Sequence, residues 1–286
     1  MNLTTNLKHA ARAAMQWRLM LIWLIAVLLP TAMLALPIWN SLSPLLDNSV
    51  RAPELARALD GVAFTDMFAE LRRNAVSLQA GGIAALVLTL LLSPFLTGSI
   101  VTAGRAQQRA TLRELCTGGV AEYPRMFRML LWAVVPLGVA LALGGALADA
   151  AETYAGKAVQ EADAARWQLA ATIVAALLVA LANLTLDAGR AQLAIDRRRT
   201  SAVKAWWWGL KLLARRPGAM LGAYALLTVG GLLLAALLAV ARLNVAGSNA
   251  LLLVAAFVLA QLIALAMAWM RAARLFALMT LSATNR

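Results

Sequence analysis

The sequence predicts an all-α fold, a polytopic membrane helical bundle of six transmembrane helices, and three observations carry that reading. The chain of 286 residues is 62% apolar and only 14% charged, against roughly 45–50% and about 25% in soluble domains. Six stretches of at least 20 residues contain no Asp, Glu, Lys or Arg, which is the length a helix needs to cross about 30 Å of hydrocarbon. The basic residues gather beyond alternate ends of those stretches. Helices are the required form, because each run then satisfies its own backbone hydrogen bonds without a partner.

The first stretch lies between Arg18 and Asp47. Before it, Leu7, Ala10, Ala11 and Ala14 fall on one helical face and Lys8, Arg12 and Gln16 on the other, the spacing of a short interfacial helix. Lys8, Arg12 and Arg18 ahead of an apolar run resemble a secretion signal. The run is too long for one, and Ala32 to Pro37 offers no clean cleavage site, so it reads as an uncleaved span. The loop over 39–77 follows. Pro53 to Leu59 reads there as a short helix stopped near Gly61, and Thr65 with Asp66 as the cap of another running through Leu71 and Arg72.

The second stretch, between Arg73 and Arg105, ends in Ala-Gly-Arg-Ala-Gln at 103–107. The segment from Thr111 reads as a short helix interrupted by Gly118 and Gly119, with Pro124 in the first turn of the third span. The third and fourth stretches, Arg128 to Asp149 and Arg166 to Asp187, hold 20 residues each. The same pentapeptide recurs at 188–192, where Asp187 and Arg190 stand one turn apart, a spacing that suits an interfacial ion pair and, as the alternative, a gate or substrate contact. Thr200 or Ser201 can cap the next segment. In it Val203, Trp206, Trp207 and Leu210 share a face opposite Ser201, Lys204, Lys211 and Arg215, and Pro217 with Gly218 ends it. The fifth and sixth stretches are divided by Arg242, and the sixth leaves through Arg271-Ala-Ala-Arg274. Pro30, Pro37, Pro94 and Pro136 lie within spans, Pro37 at a helix end. Gly218 with Gly222, Gly144 with Gly145 and Gly230 with Gly231 offer small packing surfaces.

Each odd-numbered span is thus preceded by a polar–apolar segment. The chain reads as one membrane domain, 1–286, of three tandem units at about 1–106, 107–191 and 192–286, each an interfacial helix followed by a transmembrane hairpin. Counted on alternate sides, 19 of the 26 basic residues fall with the two termini and 7 on the other side. Cytoplasmic loops carry the Lys/Arg excess. That implies a bacterial inner-membrane protein with both termini in the cytoplasm and loop 39–77 in the periplasm.

The net charge of +13 implies no nucleic-acid partner, because the basic residues flank apolar runs and no soluble segment is large enough to read a groove. Anionic lipid headgroups are the expected counter-charge. The lipid-interface residues singled out are Arg197, Arg198, Arg199, Lys204, Trp206, Trp207 and Lys211, where basic and aromatic residues coincide. The same segment can instead dock a cytoplasmic or membrane partner protein. No catalytic, metal or cofactor residue is expected. His9 and Cys116 are single, no phosphate-binding G-x-x-x-x-G-K-[ST] occurs, and no Ser-His-Asp set is available.

At Gly104-Arg105 and Gly189-Arg190, each followed by an amphipathic segment and a new hairpin, the chain resembles a loose group of six-helix bacterial membrane proteins. These are related to the membrane domain of glycerophosphodiester phosphodiesterases. The resemblance implies the six-span fold and no activity, since hydrolysis in the fused members belongs to a separate soluble barrel. The expectation is a non-catalytic accessory or scaffold organising lipid or partner proteins. The alternative is a permease subunit working with a separate ATPase.

Overall fold

The structure, a computed structural model, describes residues 3–47, 49, 61–106, 108–156, 161–198, 200–245 and 249–283. Nine helices occur among them and no strand: α1 (Leu3–Ala14), α2 (Trp17–Leu46), α3 (Gly61–Arg73), α4 (Ala75–Arg105), α5 (Leu112–Ala155), α6 (Glu161–Ile195), α7 (Ala202–Arg215), α8 (Pro217–Asn244) and α9 (Ala250–Ala283). The six expected spans are α2, α4, α5, α6, α8 and α9, each long and apolar enough to cross a membrane. The shortest has 28 residues and the longest 44, or ~42 and ~66 Å at 1.5 Å per residue. All exceed the hydrocarbon thickness, so their ends belong to polar zones.

Local chemistry sets several boundaries. Thr111 and Glu114 form a reciprocal capping box at the start of α5, with Thr111 N donating to Glu114 Oε2 at 2.7 Å and Glu114 N to Thr111 Oγ1 at 3.3 Å. The Ser201 hydroxyl accepts from Lys204 N at 3.4 Å and caps α7. Pro217 opens α8 at its first position, where a missing N–H costs nothing.

Four local expectations are corrected. Gly118 and Gly119 do not interrupt anything: α5 is one helix from Leu112 to Ala155. A Cβ on Gly118 would lie 2.2 Å from Thr102 Oγ1, and one on Gly119 2.6 Å from Ser99 Oγ. The pair is there for close approach to α4, and the amphipathic segment of the middle unit is fused to its span. Pro124 accordingly lies inside α5 and not at its start. Pro37 is also internal, since α2 continues to Leu46, and Gly81 of α4 packs against its ring. Thr65 caps nothing; α3 already begins at Gly61, and the Thr65 hydroxyl donates back to the Gly61 carbonyl. The helix expected over Pro53 to Leu59 lies outside the described residues.

The hairpin pairs α2–α4, α5–α6 and α8–α9 pack together, α4 joins the first pair to the second, and α6 touches α7 and α9. The last span, α9, contacts α1, α2, α4, α6 and α8. The buried core lies at one end of this bundle. It comprises Leu19–Ala26, Leu96–Ala103, Leu115–Ala133, Leu184–Ala194, Met220–Leu227 and Ala268–Met279, together with faces of α1 and α7. Towards the other end the helices expose Leu141, Leu143, Leu169, Leu177, Leu237 and Leu253. The most apolar window of α9 is only 6% buried, and even that of α4 only 33%. Exposed area totals 17152 Å², against about 12,000 Å² for a compact soluble protein of this mass. That excess of apolar surface is what lipid solvates, and the chain is an integral membrane protein.

Candidate functional site

At the packed end, side chains separated widely in sequence form two ionic networks. The first closes the C-terminus of α6. Glu122 of α5 accepts from Arg105 at 2.5 Å through one carboxylate oxygen and from Arg125 at 2.6 Å through the other. The two guanidiniums then reach the last carbonyls of α6. Arg125 donates to Leu193 O at 2.7 Å and Asp196 O at 2.6 Å, and Arg105 to Leu193 O at 3.2 Å and also to Ala194 O. Those carbonyls have no partner within their own helix, and cations there oppose the negative end of the helix dipole. Arg128 donates to Thr200 O at 3.0 Å, tying α5 to the lead-in of α7.

The second network lies between α4, α6, α8 and α9. Arg190 donates to Asp187 at 2.6 Å, and Arg274 approaches the other carboxylate oxygen at 3.8 Å. Arg274 also donates to Tyr224 Oη at 3.1 Å and Thr228 Oγ1 at 3.3 Å, and lies over the Tyr224 ring. Arg271, one turn earlier, donates to Ser93 and Thr97 of α4 and lies over the Trp23 ring of α2. One carboxylate thus stands among three guanidiniums, with hydroxyls and aromatic faces supplying the remaining contacts. Arg274 Nε is buried without a partner. The expected Asp187–Arg190 pair forms, buried, and Arg274 from more than eighty positions away joins it.

The two pentapeptide copies turn out unequal. Arg105 is the last residue of α4, whereas α6 runs on past Arg190 to Ile195. Their glycines share one role. A Cβ on Gly104 would lie 2.9 Å from the Phe276 ring of α9, and one on Gly189 3.0 Å from Trp206 Cα of α7. A Cβ on Gly209 of α7 would lie 2.7 Å from Gly189 N. That glycine-on-glycine crossing lets α7 seat directly on α6.

Among the lipid-interface residues, Arg197 and Arg198 are exposed beyond the end of α6, Lys204 and Lys211 are exposed on α7, and Arg199 lies outside the described residues. Trp207 is 50% exposed, and Lys211 Nζ lies 5.6 Å from its ring centroid and 5.2 Å from that of Trp208. Trp206 differs. It is half-buried, donates from Nε1 to Thr185 Oγ1 at 3.0 Å and meets Trp132 edge-on at 5.6 Å. The face α7 buries is Ala202, Ala205, Gly209, Leu212 and Leu213, more than a third of a turn from the face of Val203, Trp207 and Leu210.

Sequence reasoning missed Glu122, Arg125, Arg271 and Arg274 as partners. For Arg271 and Arg274 the signal was that arginines recur where spans end; Glu122 and Arg125, inside α5, carried none. Cys116 is exposed, and no group of three His, Cys, Asp or Glu side chains among the described residues could hold a metal ion. The arrangement binds helix ends to one another and positions excess positive charge. No protein-family model, curated protein or solved structure matches the chain, so the functional argument rests on this geometry.

Proposed function

We propose that this protein is a non-catalytic accessory or scaffold of a bacterial inner membrane, with both termini cytoplasmic, that organises lipid or partner membrane proteins. One observation carries the reading: the bundle is locked at one end and opens into unpartnered apolar helix faces along the rest of its spans. The buried charges at the locked end hold neighbouring helices and the end of α6, which is a structural use of ionic side chains. α1 and the end of α9 are in contact through Asn6, Ala277 and Thr280, which supports a common side for the two ends. The excess of basic residues on that side supports the cytoplasm.

The permease-subunit reading is favoured by a different feature. Arg197, Arg198, Lys204 and Lys211 are exposed on and beside α7, at the end where a cytoplasmic ATPase would dock. Reconstitution of the purified chain into liposomes, with assays for ion flux, lipid scrambling and phosphodiester cleavage, tests the first reading. Silence in all three, together with co-purification of a membrane partner in mild detergent, is the expected result. Activity abolished by Asp187→Asn overturns it, and an ATPase among the co-purified proteins favours the second.

A further inference from the structure

Two cavities lie on one face of α9, and they differ sharply in character. The first, of about 880 Å³, is bounded by α1, the end of α4 and the segment after it, and by Phe276, Met279 and Thr280 of α9. Lys8, His9, Arg12 and Arg109 line it with Gln16 and Gln108, and no acidic side chain does among the described residues. The second, of about 760 Å³, lies between α2, α8 and α9 and is walled by residues such as Trp17, Leu24, Leu234, Leu238 and Leu265. The two adjoin at the link between α1 and α2, where Gln16 lines the basic cavity and Met15 and Trp17 line the apolar one.

The α9 residues concerned recur at spacings of three and four, so one stripe of the helix serves both cavities. α1 is fastened along that stripe: Trp269 Nε1 donates to Ala11 O at 2.9 Å, and Asn6 Nδ2 to Ala277 O at 3.4 Å. From Leu265 in the apolar cavity to Met279 in the basic one is ~21 Å along the helix. One leaflet with its headgroups, half of roughly 40–45 Å, is just as deep. Gln16 Oε1 is buried without a donor in the wall between the cavities.

We infer that these cavities together form a binding site for one anionic glycerophospholipid, its phosphate among Lys8, Arg12 and Arg109 and an acyl chain in the groove between α2, α8 and α9. Charge complementarity selects the anionic class, since three cations face the cavity with no carboxylate to neutralise them. The apolar groove at leaflet depth selects a lipid over a soluble phosphate. A hydroxyl or ammonium of the headgroup supplies the donor that Gln16 lacks. The inference rests on the six-span architecture and not on the scaffold reading, so either can fail alone.

The test uses the full chain in mild detergent with dioleoylphosphatidylglycerol and dioleoylphosphatidylcholine, bound lipid being read by native mass spectrometry. Three basic residues around one anionic headgroup should make the wild type prefer phosphatidylglycerol on the order of 100-fold. In the triple variant Lys8→Gln, Arg12→Gln, Arg109→Gln the two lipids should bind alike. All three residues are exposed, so folding is not at stake. Leu234→Trp, a change at an exposed residue of the groove wall, should weaken both lipids at least tenfold; Leu265→Trp repeats the test from α9. Equal retention of the two lipids by the wild type overturns the site. So does a preference that survives in the triple variant, full competition by inorganic phosphate, or unchanged binding in both tryptophan variants.

Discussion

The packed and open ends of the same six helices are built from different chemistry. At the packed end Ser99, Thr97, Glu122, Thr185 and Asp187 are buried beside Ala and Gly, and guanidiniums cross from helix to helix. At the open end Leu, Val and Ala face outward along α5, α6, α8 and α9. The difference follows from the solvent. In hydrocarbon there is no hydrophobic drive to press one leucine-covered helix on another, so association needs small residues for close contact and polar groups for directed bonds. This chain places most of its buried polar groups at one end, and its packed core lies there.

Five substitutions probe that contrast, in order of expected effect. Glu122→Ala leaves Arg105 and Arg125 buried without their carboxylate, and breaking such a pair costs about 3–5 kcal/mol. Unfolding of the detergent-solubilised protein should show a loss of that size. Gly209→Leu drives a side chain into the backbone of Gly189, and overpacking of this kind costs about 1–3 kcal/mol. It should lift α7 from α6, which a rise in quencher access to Trp206 fluorescence reports. Trp206→Phe removes the bond to Thr185, worth about 1 kcal/mol, whereas Trp207→Phe should leave stability unchanged. Equal effects of the two would mean that the face α7 buries is misassigned. Leu177→Ala at the open end should change stability by less than about 0.5 kcal/mol, as surface positions do. A loss of 2 kcal/mol or more in native membranes, absent from the purified chain, would show that a partner covers α6 there and would sharpen the contrast into an interface.

The spans were legible because length and freedom from charge are local properties. α7 was legible for the same reason: its Ser201 cap and terminating Pro217 lie in the sequence itself. Its rotation was not, since Trp206 and Trp207 are equally apolar and only the Gly189–Gly209 crossing decides which turns inward. Gly118 and Gly119 looked like a helix break because a break and a close helix contact use the same residue. Thr65 shows the same ambiguity, as a hydroxyl that can cap a helix can also donate to the carbonyl a turn before it. The ionic networks needed distances in space. Nothing in the run 271–274 says that its arginines meet Ser93 on one side and Tyr224 on another.

The place of α9 has a consequence for how the protein is made. It leaves the ribosome after the other five spans, and it touches α1, α2, α4, α6 and α8. Until it is inserted, Asp187 and Arg190 lack Arg274, and Asn6 on the first helix lacks Ala277 and Thr280. The earlier hairpins can cross the bilayer as they emerge, but they wait for the final one as loose neighbours. A chain interrupted near residue 265 would thus present five threaded segments in which the Asp187–Arg190 pair lacks its third member and Asn6 lacks its partners. Insertion of α9 and closure of the bundle become one event, and damage to the last turns of α9 reaches α1 directly.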